Sequence, residues 1–135
     1  MSKSKINVGN FFEDFKIGQV IRHAAPRTVT VGEVALYTAL YLPRFAVQSS
    51  TAFAQAIGYE RAPIDDLLVF HLVLGKTVPD VSLNAIANLG YAAFKFLIPV
   101  YPDSPLSSTP AVTAPTQPPH QAPVFLYVPT PAPPH

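Results

Sequence analysis

The amino-acid sequence predicts an α+β fold, on three observations. The run "LLVFHLVLG" at 67–75 has His71 as its single polar side chain, and a helix that is apolar all round must be enclosed by protein. Segments of strand-forming composition lie on either side of it, "QVIRHAAPRTV" before and "SLNAIANLGYAAFKFLIPVYP" after. The chain also changes character at Asp103. All 17 charged residues (nine basic, eight acidic) lie in 1–103, and ten of the 16 prolines lie in 104–135. The first part is therefore expected to fold, with 103–135 as a separate proline-rich, disordered tail.

The elements follow in order. Phe11, Phe12 and Phe15 in "NFFEDF" suit a short amphipathic turn packed under a sheet. "QVIRHAAPRTV" predicts an edge strand made irregular by Pro26. Thr30 and Glu33 form a T-x-x-E capping box, and Val34, Leu36, Tyr37, Leu40 and Tyr41 follow at helical spacing until Pro43. A second short helix is expected over 49–57, capped by Ser50 or Thr51 and closed by Gly58. The apolar helix starts after Pro63 with Asp65 and Asp66, whose charges favour a helix N-terminus. Gly75 and Lys76 end it, and Pro79 prevents continuation. Leu83, Ala85 and Ala87, then Phe94, Phe96 and Ile98, alternate as one or two strands packed over that helix.

Composition excludes several classes. A net charge of +1 offers nothing to nucleic acid or an acidic membrane surface. Without cysteine there is no disulfide framework and no thiolate zinc site. The longest apolar run is about half of the roughly 20 residues a membrane helix needs. The stretch after Lys3 and Lys5 is too polar for a signal-peptide core. A cytoplasmic protein is expected, with no membrane or nucleic-acid partner.

"NFFEDFKIGQVIRHAAPRTVTVGEVALYTALY" and "LVLGKTVPDVSLNAIANLGYAAFKFLIPVYP" resemble the MaoC-like hydratase family. Together with "RFAVQSSTAFAQAIGYERAPIDDLLVFH", residues 8–102 are most similar to the N-terminal half of its mesaconyl-CoA hydratases. The resemblance implies a hotdog fold, a central helix wrapped by an antiparallel sheet. It is expected to be incomplete here, one half of a double hotdog. It also implies a hydro-lyase reaction, reversible addition of water to a C=C bond conjugated to a thioester of a branched dicarboxylic acyl-CoA. The implied partners are that acyl-CoA and a second hotdog or a second copy of the chain; no cofactor is implied.

Such chemistry asks for backbone N–H groups at a helix start to hold the developing oxyanion, and for a carboxylate and an imidazole to move protons. The family's motif approximates G-D-x-N-P-x-H. At that place the chain reads "LPRFAVQ", with Pro43 and Gln48 in the acid–base positions. The usual glycine-rich start of the central helix reads "IDDLL". The resemblance therefore implies the pocket-shaping half, inactive alone. Asp65 and His71 are the candidate catalytic residues, although a helix start and a core histidine held by one hydrogen bond explain them more simply. Arg44, Ser49 and Ser50 are the candidate substrate-binding residues, against a solvated arginine and a helix cap as the plainer readings. A non-catalytic acyl-CoA-binding module, or an interaction protein acting through its tail, are the alternatives.

Where the family reads Y-P-G-D-x-L, the chain has "YPDSPLSST". Beyond it "PAVTAPTQPPHQAPVFLYVPTPAPPH" is expected to supply no sheet strands apart from "VFLYV" at 124–128, because proline lacks the N–H of a ladder. Either this is a true polyproline segment or the reading frame has shifted. Loss of all charge within a domain favours the second.

Overall fold

The computed structural model of the chain describes residues 8–22, 26–41, 45–88, 90–91, 95–114 and 124–126. The elements in chain order are β1 (Arg27–Thr28), α1 (Val31–Tyr41), α2 (Thr51–Ala56), α3 (Asp66–Thr77), β2 (Pro105–Leu106), β3 (Ala111–Ala114) and β4 (Val124–Leu126). This is an α+β arrangement. A 3-10 turn at Phe12–Asp14 precedes β1, a second at Ala46–Gln48 precedes α2, and a π turn at Val78–Ser82 extends α3.

Each helix starts where its side chains dictate. The Glu33 amide donates to Thr30 Oγ1 at 3.2 Å and the Thr30 amide to Glu33 Oε2 at 2.9 Å, a complete capping box for α1. Ser50 Oγ accepts from the Phe53 amide at 3.2 Å to cap α2, which ends before Gly58 at φ +100. Asp65 Oδ1 accepts from the Leu67 amide at 2.9 Å to cap α3. Where termination at Gly75 and Lys76 was expected, α3 runs one residue further to Thr77 and opens into the π turn, with Pro79 inside it. Pro79 has no N–H to return to the preceding turn, and the buried Thr77 hydroxyl donates to the Leu74 carbonyl at 2.7 Å.

The strands are short and antiparallel. β1 pairs with β2, Arg27 opposite Leu106 and Thr28 opposite Pro105. β3 pairs with β4 across a bulge between Val112 and Ala114, and on its other side Val20 bridges Ala111. Val20 and Arg27, seven positions apart, thus meet Ala111 and Leu106, five positions apart. "PAVTA" thus does build sheet, contrary to expectation. Pro110 stands at its start and contributes its carbonyl, which accepts from the Ile21 amide at 3.0 Å, so no ladder N–H is missed there.

The core is Val29, Ile64, Leu68 and Leu106, with Val34, Tyr37, Val69, Leu72, Val73 and Val100 packed against it. It lies between α1, α3 and the β1–β2 pair. Four expectations change here. α3 is covered on one side: Leu68 and Thr77 are buried, while Leu67, His71, Gly75 and Val78 form an exposed stripe. The segment expected to wrap that side forms no strand among its described residues; 95–99 are exposed, without a ladder partner. Phe11 and Phe12 are likewise exposed, and Phe15 is half-buried. Of the expected apolar face of α1, Val34 and Tyr37 reach the core, whereas Leu36, Leu40 and Tyr41 remain exposed.

Candidate functional site

The start of α3 is the best-organised polar region among the described residues. Ile64, 1 % exposed, anchors it from below, and the Ile64 amide donates to the Val100 carbonyl at 2.7 Å. Arg61 ties the same approach to the other side: its guanidinium donates to the Pro102 carbonyl at 3.0 Å and lies 5.5 Å from the centre of the Tyr101 ring. These two ties hold the first turn of α3 against the turn at 101–104, where the Ser104 amide donates to the Tyr101 carbonyl at 3.2 Å.

Two carboxylates stand at this helix start. Burial pushes the Asp66 carboxyl above the usual range, and the neighbouring charge of Asp65 adds to the rise. The Tyr37 hydroxyl is also raised, by burial first and then by Asp65 and the facing Tyr41, whose ring centre is 4.6 Å away. The arrangement therefore favours protonated or cationic groups. An enolate oxygen arriving here would meet negative charge, and the Leu67 amide is already engaged with Asp65.

Asp65 lies near enough to Tyr37 and to Asp66 for its charge to act on both. His71 is six positions beyond Asp65, roughly 9 Å along the axis and about 120° round it. It is exposed, not a core histidine, and its ring lies 5.6 Å from that of Phe70. Among the described residues of 83–99 no strand is formed to enclose it. Ser50 is occupied as the cap of α2, and Ser49 beside it is exposed. Arg44 and Pro43 lie outside the described residues, as do His23, His120 and His135. Gln48, at the family's histidine position, ends the 3-10 turn Ala46–Gln48 in which Val47 is buried. Among the described residues no three acidic or histidine side chains gather where they could hold a metal ion, and no helix is long and apolar enough to cross a membrane.

Sequence reasoning did not single out Arg61, whose role comes from partners 40 and 41 positions away, or Ser108. Ser108 is buried with an unpartnered Oγ, between the strands that were not expected. No local spacing signals either residue.

Comparison with known proteins agrees with this architecture. Residues 3–123 match the family described as Mesaconyl-CoA hydratase. A β-methylmalyl-CoA dehydratase of Chloroflexus aurantiacus is 67 % identical over 109 residues, 81 % of this chain and 31 % of the relative. A mesaconyl-CoA hydratase of Cereibacter sphaeroides is 56 % identical over 108 residues, 80 % of this chain and 32 % of the relative. The chain spans about a third of the length of these relatives. A crystal structure of a MaoC domain protein dehydratase from Chloroflexus aurantiacus superposes with a TM-score of 0.76 at 66 % identity, covering 82 % of this chain and 31 % of that one. An (R)-hydratase from A. caviae, involved in PHA biosynthesis, superposes at 0.55 with 25 % identity, over 76 % of this chain and 75 % of its own. The capped α1, the α3 helix and its antiparallel strands are thus a partial hotdog of MaoC type, and the chain belongs to the mesaconyl-CoA hydratase family.

Proposed function

We propose that this chain is the pocket-shaping N-terminal hotdog of a hydro-lyase acting on a branched dicarboxylic acyl-CoA such as mesaconyl-CoA, and that it is inactive alone. Relatives named for adding water and for removing it support the reaction class, because both directions share one route. In that route water oxygen bonds to the β-carbon, the C=C electron pair moves toward the thioester oxygen, and a proton is delivered to the α-carbon. A base must take the proton from water and an acid must deliver the other.

The observation that carries the reading is the separation of Asp65 from His71. The Asp65 carboxylate is spent on the Leu67 amide, and the His71 imidazole lies on another face of α3. The acid–base pair is thus expected from another part of the full-length protein. The domain in this reading opens near residue 8. The β1–β2 and β3–β4 pairings support carrying it past residue 102 into the proline-rich segment. Arg44, Ser49 and Ser50 are proposed contacts for the acyl-CoA, and a second hotdog or a second copy of the chain is the proposed partner, in the cytoplasm.

Purified 1–135, mixed with mesaconyl-CoA, is expected to leave the enoyl-thioester absorbance unchanged. Steady loss of that absorbance, abolished by Asp65→Asn or His71→Ala, would overturn the reading and assign the chemistry to α3.

A further inference from the structure

Between residues 83 and 99 every described residue is exposed except Asn84. Asn84 is half-buried because the N-terminal segment crosses it. Its Nδ2 donates to the Val8 carbonyl at 2.9 Å and to the Asn10 carbonyl at 3.3 Å. The tie is reciprocal, since Asn10 Nδ2 donates to the Asp80 carbonyl at 2.7 Å, inside the π turn. Gly9, between the two, has φ +70. A Cβ on it would stand 2.9 Å from Asn84 Nδ2 and 3.0 Å from Leu83 Cβ. Only a glycine lets the two segments approach this closely in that conformation.

We propose that residues 8–10 are a latch that holds the π turn and the segment after it on the domain, and that its release is an opening distinct from global unfolding. The free energy of a local opening follows the buried contacts it breaks. The described residues of 83–91 bury little. Besides the latch, the Tyr91 ring stands edge-on to Phe70 of α3 at 5.1 Å. The π turn is a suitable hinge, because its wide turn and the missing N–H of Pro79 weaken the helical ladder there. The core of Val29, Ile64, Leu68 and Leu106 lies outside the opened unit. The latch bonds residues 70 to 76 positions apart in sequence, so the N-terminal segment governs whether the π turn and the segment after it stay on the domain. This inference is independent of the proposed reaction.

Native-state amide exchange on the full chain tests it. Each lost hydrogen bond is worth roughly a fivefold change in the opening equilibrium. Asn84→Ala, which removes two, should speed exchange at 76–85 by roughly tenfold or more, and Asn10→Ala, which removes one, by about fivefold at the same amides. The amides of Val34, Ala54 and Ile57, which are bonded in or beside α1 and α2, should exchange as before. Equal acceleration at all sites, or none at 76–85, would overturn the latch. So would failure of both variants to fold, because the contacts would then belong to the global core.

Discussion

The Asp103 amide donates to the Val29 carbonyl at 2.7 Å, and Asp103 does so from left-handed backbone at φ +68. Together with the Val29 amide, which donates to the Ser104 carbonyl at 3.3 Å, this bond extends the β1–β2 ladder around the fully buried Val29. Pro102 and Asp103 occupy the two centre positions of the 101–104 turn. A positive φ at the second is the type II pattern, which favours glycine.

Asp103→Gly should therefore stabilise the domain. Left-handed backbone costs a non-glycine residue about 1–2 kcal/mol, less for aspartate, and the greater freedom of glycine in the unfolded chain takes some of the gain back. A net gain of about 0.5 kcal/mol is expected, read as a rise in thermal midpoint. A lowered midpoint would show that the Asp103 side chain supplies more than its backbone costs.

The one-sided burial of α3 makes a paired prediction. Ile64→Ala, in the centre of the core, should cost about 2–5 kcal/mol in urea unfolding. Leu67→Ala, at a position 51 % exposed, should cost about 0.5 kcal/mol or less. Comparable losses at both would mean that something covers the Leu67 face in solution.

The capping box of α1 should show in acid. The Thr30 amide and hydroxyl, then the Arg27 guanidinium, hold the Glu33 carboxyl below its ordinary value. Its folded value lies under its unfolded one, so its stabilisation is complete above the unfolded value and is lost as pH falls through the folded one. Glu33→Gln should lower the midpoint at neutral pH, and the gap from the parent should close in acid.

Asp66 has the opposite sign. Burial raises its folded value above the unfolded one, so its charge is costly at neutral pH and the cost fades as pH falls through the folded value. Asp66→Asn should melt higher than the parent at neutral pH, with the advantage shrinking in acid. A lower midpoint at neutral pH would mean that the helix dipole outweighs the burial cost.

The parts of the fold legible in the sequence are those whose partners are a few residues away. Thr30 with Glu33, Ser50 with Phe53 and Asp65 with Leu67 are caps formed within one turn, so the residue types alone locate the starts of α1, α2 and α3.

Long-range partners decided the rest. An apolar helix announces that it can be buried, but whether both its sides are covered depends on strands elsewhere, and at 95–99 those strands do not form. Composition argued against strands after Asp103, yet Pro110 lends its carbonyl where no N–H is needed, and Ala111 finds Val20 ninety-one positions back. The crossing of Gly9 over Asn84 has no local signature, because it joins segments more than 70 positions apart. Short-range hydrogen bonds are written in the order of the residues; coverage and pairing across the chain are set by packing, and packing settled which faces of this partial hotdog are closed.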